Sequence, residues 1–305
     1  MSKIKQQIKG LVNKLPYVRT LIKELAVYKT DYAPGHYHSP IISVEEIKKR
    51  EAQIFPVRSK EITGIDLNED EQIALLKAVA ENYRTIPFAD EKQSNLRYYY
   101  NNGFYCQSDG IFLHLMMRHF KPRRIIEVGS GFSSACMLDT NELFFDNSIQ
   151  LTFIEPNTDR LYSLFKNKDK TQHKTIDSFL QNVDLALFDQ LEPNDILFID
   201  STHVSKTDSD VNRVIFDILP RLKKGVLVHF HDIFFPFEYP KKWVMQWNGF
   251  GWNEDYILRA FLMYNDRYRI VMFNTFLETF HKDWFRQHMP DCLKDEGGSI
   301  WLQKM

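Results

Sequence analysis

The sequence predicts a doubly wound, Rossmann-like α/β sheet preceded by a helical N-terminal extension. Three observations carry that prediction. Five short apolar or β-branched runs recur with helix-compatible stretches between them: RRIIEVG (123–129), LTFIEP (151–156), HKTID (173–177), DILFID (195–200) and GVLVHFHDI (225–233). The runs are nearly continuously apolar rather than alternating, as strands covered by helices on both faces should be. The first of them leads straight into the turn Gly129-Ser130-Gly131 and a helical stretch from about Ser133, the strand–turn–helix order of a parallel sheet.

The elements before the sheet follow from local signals. In the first thirty residues Ile4, Ile8, Leu11, Leu15, Val18, Ile22 and Leu25 recur at steps of four and three, one stripe of a helix that Pro16 can kink. Seven basic residues stand there against Glu24 alone, a net +6 that leaves −7 for residues 31–305. Such a basic amphipathic helix docks on the rest of the chain or a second copy, or binds a membrane surface or another partner. The stretch DYAPGHYHSPIIS follows, where Pro34-Gly35 and Ser39-Pro40 oppose regular structure. Ser43 with Glu46 forms a capping box, residues 70–84 read as a helix, and Ser108-Asp109 is placed to cap the helix GIFLHLMMRHF. With 305 residues there is chain for one large domain and an extension, and the boundary falls near residue 100, giving 1–100 and 101–305.

Composition excludes several classes of function. With 39 Lys and Arg against 40 Asp and Glu, no global field recruits nucleic acid. Cys106, Cys136 and Cys292 are too few and too scattered for a disulfide framework or a zinc pair, which points to a reducing, cytoplasmic setting. No apolar run approaches the roughly 20 residues of a membrane span, and the N-terminus lacks the apolar core of a signal peptide.

The glycine turn after the first strand allows close approach of a ligand. Ser134 replaces the third glycine of a dinucleotide fingerprint, which disfavours a pyrophosphate and a nicotinamide cofactor. Glu155 ends the second strand, 24 residues after Gly131, where a carboxylate can hold both hydroxyls of a ribose. A nucleoside without a diphosphate fits this pattern, and S-adenosylmethionine is such a ligand.

The run EVGSGFSS, then FIEP, FIDSTH and GVLVHFHDI, resembles class I S-adenosylmethionine-dependent methyltransferases over about residues 100–305. More narrowly, APGHYHSP, HVSKTDSDVN, HFHDIFFPFEYP, WNEDYILRAFLMYN and GGSIWL are similar to the bacterial branch grouped with macrocin-type and rhamnosyl O-methyltransferases. The resemblance implies a seven-stranded sheet with an antiparallel last strand, for which YRIVMFNT (268–275) and GSIWLQK (298–304) are the natural sixth and seventh strands. It also implies that Glu127, Gly129, Gly131 and Ser133 line the methionine end of the cofactor, that Glu155 binds its ribose, and that Gln181 and Asn182 are the adenine contacts.

Ligands of a doubly wound sheet sit beyond the carboxyl ends of its strands, so Asp200 and His231-Asp232, ending the fourth and fifth runs, mark the reacting end. Two carboxylates there could hold Mg2+ or another divalent cation through oxygen. In resemblance to metal-dependent catechol-type O-methyltransferases, Asp200 and Asp232 match the two metal-binding aspartates. His203 stands where that pattern has a lysine base, and Ile233 stands where it has an asparagine ligand. A histidine suits proton abstraction at neutral pH, so Asp200 and His203 are the candidate catalytic pair; His203 could instead cap a helix beginning near Thr207, and His229 is expected to be a satisfied core histidine. Eighteen aromatic residues fall between Phe230 and Phe285. Phe261 and Tyr264 are expected in the core. The irregular stretch FFPFEYPKKWVMQWNGFGW would leave rings free to meet a sugar or aromatic acceptor, or to pack as a lid or subunit contact. The expected activity is O-methylation of a small-molecule or sugar hydroxyl. The alternative is a catalytically silent binding or regulatory protein recruited through its basic helix, to a membrane surface or as a homo-oligomer.

Overall fold

The structure, a computed structural model, describes residues 12–13, 15–26, 31–57, 59–247 and 250–305. The chain divides into two compact units, residues 1–56 with 241–251, and residues 57–240 with 252–305. In the smaller unit the helix Pro16–Ala26 leaves Leu21, Ile22 and Leu25 exposed, as is Leu15 just before it; the rest of the basic stripe, before residue 12, lies outside the described residues. The helix Val44–Lys49 starts as its capping residue dictates, with the Ser43 hydroxyl accepting from the Glu46 N–H at 3.3 Å. Lys241, opening the helix Lys241–Gln246, pairs with Glu51, and Trp243 stacks on Trp247 at 4.7 Å.

The larger unit is built on a seven-stranded sheet. Its strands are β1 Arg124–Val128, β2 Gln150–Ile154, β3 Lys174–Ile176, β4 Ile196–Ile199, β5 Leu227–His231, β6 Tyr268–Phe273 and β7 Ser299–Lys304, in the order β3-β2-β1-β4-β5-β7-β6. The first five are parallel, and β7 inserts between β5 and β6 antiparallel to both. The continuous apolarity of the central strands is explained by their surroundings, since every residue of β4 and β5 is buried. The chain reverses direction across the sheet between β1 and β4, which opens a crevice at their carboxyl ends.

Residues 57–100 contribute to this larger unit. Helix Glu69–Ala80 buries Leu76 and Val79, and Phe88, Leu96 and Tyr98 continue the same core. Arg97 anchors the segment, donating to Asp139 at 2.6 Å and to Asp169 at 2.8 and 2.6 Å, with all three side chains buried. A buried bidentate guanidinium–carboxylate pair satisfies its charges only in one geometry, so removing a partner would leave an uncompensated charge costing about 3–5 kcal/mol.

Several local expectations change. Helix Gln107–Phe120 begins before Ser108 and Asp109, with Cys106 at its cap position, so these two polar residues lie buried in its first turn rather than capping it. Helix Glu254–Leu262 ends early, and Tyr264, expected in the core, is 81% exposed with φ +56°; Phe261 packs against the core, half-buried. The irregular aromatic stretch is mostly buried after all. Phe234, Phe235, Phe237 and Tyr239 are all buried, with Phe235 surrounded by Phe273, Phe276 and Phe280. Aromatic pairs gain beyond their area by edge-to-face contact, so an irregular backbone does not keep rings in water.

Candidate functional site

Two adjoining cavities open at the carboxyl ends of β1, β2 and β4, sharing Glu155, Asp200 and Ser201 in their walls. One, of about 300 Å3, is lined by Gly129, Pro156, Phe179, Gln181, Lys206 and Asp210 among others. Its neighbour, of about 330 Å3, is bounded by Tyr105, Ser133, Arg160, His203, Asp232 and Trp252 among others. Together they form the crevice that the sheet topology requires.

The glycine turn is fixed by the fold itself. Gly129 has φ +80°, and a Cβ there would overlap the carbonyl oxygen of Asp200, so only glycine lets β1 end beside the β4 loop. Glu127 does not line the crevice. It is completely buried, and accepts hydrogen bonds from the Ser133 hydroxyl at 2.6 Å and from the Ser134 hydroxyl. Burial, opposed by these hydrogen bonds, pushes its carboxyl up to about 8. Ser134 also accepts from the Gly131 N–H at 3.0 Å, so the residue in place of a third glycine holds the turn closed onto the helix Phe132–Phe144. Ser133, its hydroxyl bound to Glu127, is among the residues lining the second cavity.

Glu155 stands at the junction. Its carboxylate accepts from the Ser130 N–H at 2.9 Å and the Asn157 N–H at 2.8 Å, one on each oxygen. Each oxygen retains a lone pair, which leaves the pair able to take two hydroxyls of a ribose. Nearby, Ser130 Oγ, Ser201 Oγ and Gln181 Oε1 are buried without a hydrogen-bond partner among the described residues. Buried polar atoms without partners are costly unless a ligand or water satisfies them. Gln181 is in the cavity wall, its amide donating to the Asp208 carbonyl at 2.6 Å, whereas Asn182 is exposed and outside the wall. Phe179, 62% exposed at the cavity edge, offers a ring face that the sequence did not single out.

At the other end, β4 and β5 deliver Asp200 and His231-Asp232 side by side. His203 and Asp232 both adopt left-handed backbone, φ +58° and +55°, a conformation that costs non-glycine residues of order 1–3 kcal/mol and clusters at functional sites. His203 is buried, its Nε2 lying 3.5 Å from Asp200 and 3.6 Å from Asp232, and its Nδ1 2.8 Å from Glu254. Its carbonyl accepts from the N–H groups of Asn253 and Glu254, so it caps the helix Glu254–Leu262 through its backbone. The helix expected near Thr207 begins at Asp210 and is capped by Ser209. The Trp252 ring packs against His203 at 4.3 Å.

Electrostatics here are dominated by four carboxylates and two imidazoles. Burial disfavours the charged form of His203, but hydrogen bonds to Asp200 and Glu254 outweigh it and hold its pKa well above the usual value. Burial likewise opposes ionisation of Asp200, and His231 and His203 more than offset it, keeping that carboxyl below its usual range. Asp232 is raised by burial, against the pull of the same imidazoles. One ligand atom each from Asp200, His231 and Asp232 lie within 4.8 Å of one another, a donor set that could hold a divalent cation. His229, expected to be satisfied, is buried with neither ring nitrogen hydrogen-bonded among the described residues. It stacks on Phe198 at 4.0 Å, and burial keeps it neutral.

Residues that the sequence did not reveal complete the site: Glu254 and Trp252 from the far side of the β5 connection, Arg160, and Tyr105 with Asp109 from the segment before β1. Trp252 and Glu254 open the segment WNEDYILRAFLMYN, whose resemblance assigned them no role, and the positions of Arg160, Tyr105 and Asp109 carry no motif. A buried Glu-Asp at the head of the helix WNEDYILRAFLMYN is the one available signal, since both residues are fully buried where a helix start is ordinarily solvated.

Residues 126–233 match a family described as a methyltransferase domain. An uncharacterized protein of Archaeoglobus fulgidus is 36% identical over 170 residues, spanning 53% of this chain and 75% of its own length. Among solved structures, the SAH-bound methyltransferase PaMTH1 of Podospora anserina is 16% identical, covering 91% of this chain and all of its own, with a TM-score of 0.43. The O-methyltransferase TomG of Streptomyces achromogenes, in complex with SAM, is 16% identical over 85% of this chain and 96% of its own, with a TM-score of 0.42.

Proposed function

This chain belongs to the class I S-adenosylmethionine-dependent methyltransferases, and we propose that it transfers the methyl group to a hydroxyl of a small-molecule acceptor, a sugar or an aromatic compound. The observation that carries this reading is His203 set between Asp200 and Asp232 at the end of the crevice whose other end presents Glu155. Glu155 takes the ribose hydroxyls, Gln181 and Phe179 meet the adenine, and the Gly129–Ser133 turn lines the methionine end. That places the reactive methyl toward the second cavity, where Tyr105, Phe132 and Trp252 supply ring surfaces for the acceptor.

His203 accepts the hydroxyl proton on Nε2. Glu254, against Nδ1, fixes the tautomer and stabilises the imidazolium that forms, a base–orienter pair. A divalent cation held by Asp200 and Asp232 would offset those carboxylate charges, lowering the proton affinity of His203 toward neutrality, and acidify the acceptor hydroxyl. Burial of His203 and the Trp252 ring over it keep bulk water from the base.

The exposed stripe of the helix Pro16–Ala26 supports a docking role for residues 1–30, on an anionic membrane surface or on a second copy; liposome flotation and sedimentation distinguish them. No described helix is long and apolar enough to cross a membrane, and all three cysteines are free, which favours a reducing, cytoplasmic setting. The deciding experiment is transfer of labelled methyl from S-adenosylmethionine to a panel of sugar and phenolic hydroxyls, with and without exhaustive chelation. Transfer confined to carboxyl or amine acceptors would overturn the hydroxyl assignment, and full activity after chelation would remove the cation.

A further inference from the structure

Resting on that reading, we propose that the cation site takes His231 as its third protein ligand, with Asp109 positioning the ring, and therefore selects a first-row divalent transition ion, Co2+ above Mn2+, over Mg2+. His231 Nε2 lies 3.6 Å from Asp232 Oδ1. That is too long for a hydrogen bond, and close to the separation of two donors sharing one ion, about 3.0–3.4 Å for bonds of about 2.1 Å at octahedral or tetrahedral angles. Asp200 completes the triangle. Ile233, next to Asp232, offers no donor, so the preceding residue supplies the third one, and it is an imidazole instead of an oxygen. Mg2+ favours oxygen and sheds water reluctantly, whereas an imidazole nitrogen is better accepted by first-row transition ions, least by Mn2+ and increasingly along the row.

A metal-binding histidine needs an acceptor on its other nitrogen. His231 Nδ1 is buried without a hydrogen-bond partner among the described residues, and Asp109 Oδ1, also buried without one, is 4.0 Å away. A small rotation of either side chain closes that gap to a hydrogen bond, giving the carboxylate–histidine–metal order that fixes ring orientation. Gly297 leaves the room that Asp109 occupies, since a Cβ there would come within 2.5 Å of its Oδ1. The same interpretation accounts for a polar pair at the first turn of the helix Gln107–Phe120, where Ser108 bonds to Glu278 and Asp109 keeps Oδ1 without a partner. His203 meets the same two carboxylates, but its Nδ1 is engaged by Glu254 and its role is with the acceptor proton.

The test is calorimetric titration of the full chain with Mn2+, Co2+ and Mg2+, joined to electron spin-echo measurement of nitrogen coupling to bound Mn2+. Mn2+ should bind at least about tenfold more tightly than Mg2+ and show imidazole nitrogen coupling. His231→Gln should abolish that coupling and the preference while S-adenosylmethionine still binds, showing that the fold is intact; His203→Gln should keep both. Asp109→Asn should weaken Mn2+ about 10- to 100-fold with the coupling retained. Equal affinity for Mg2+ and Mn2+, or coupling lost in the His203 variant instead, would overturn the inference and leave the cation reading standing. Binding of no cation would overturn both, and the chelated assay would then report whether methyl transfer survives them.

Discussion

The two ends of the crevice handle their carboxylates in opposite ways. At the cofactor end, Glu127 and Glu155 receive neutral donors, serine hydroxyls and backbone N–H groups, from within their own strand–turn–helix units or the adjoining strand. At the reacting end, Asp200, Asp232, Glu254 and Asp109 meet imidazoles at up to 4.0 Å and leave polar atoms without partners. Hydrogen bonds from fixed backbone preorganise a surface for binding. Charges balanced mainly by titratable rings respond to a proton or a cation. On the proposed function, the first end would hold a ligand still and the second would change charge during the reaction.

Substitutions can break this contrast. His203→Ala should lower kcat by about 10^2 to 10^4, the usual worth of a general base, while S-adenosylmethionine affinity by calorimetry changes only a few-fold. Equal losses in both would make His203 structural. Asp232→Asn should reduce cation affinity and methyl transfer on the order of 100-fold, read by titration and turnover, with donor affinity again little changed. At the opposite end the pattern should invert. Glu155→Gln should weaken S-adenosylmethionine about 10- to 100-fold, the worth of one or two hydrogen bonds to a charge, with kcat at saturation nearly intact.

Glu127 sharpens the comparison through pH. Its folded pKa of about 8 lies above the unfolded carboxyl, so the folded state keeps a proton that the unfolded state releases. Its contribution is fully present below about pH 4.5 and is lost as pH rises toward 8, with a slope of at most about 1.4 kcal/mol per pH unit. Denaturant unfolding across that window should show a decline that Glu127→Gln flattens. The smallest effect is expected at Asn182. Exposed and outside the cavity wall, Asn182→Ala should leave donor affinity unchanged, while Gln181→Ala weakens it several-fold.

Much of the arrangement around Glu155 and the glycine turn was legible in the sequence because it is local. The turn after β1, Ser133 and Ser134, and Glu155 at the end of β2 belong to consecutive elements whose geometry follows from their own residues. Even there, Glu127 reads as a lining residue only until its full burial is seen, and position alone does not separate Gln181 from Asn182. Tyr264 fails as a core residue because the helix stops at Leu262, a boundary that periodicity does not define.

The sequence by itself determined the doubly wound sheet, the crevice at its carboxyl ends and the aspartates that end β4 and β5, because continuous apolar runs and strand-terminal carboxylates follow from which residues water rejects and accepts. Only the tertiary structure decided what surrounds those aspartates. Glu254 reaches His203 from 51 positions away, and Asp109 approaches His231 from 122. Contacts of that range depend on how helices close over the sheet, and no local preference of either partner encodes them.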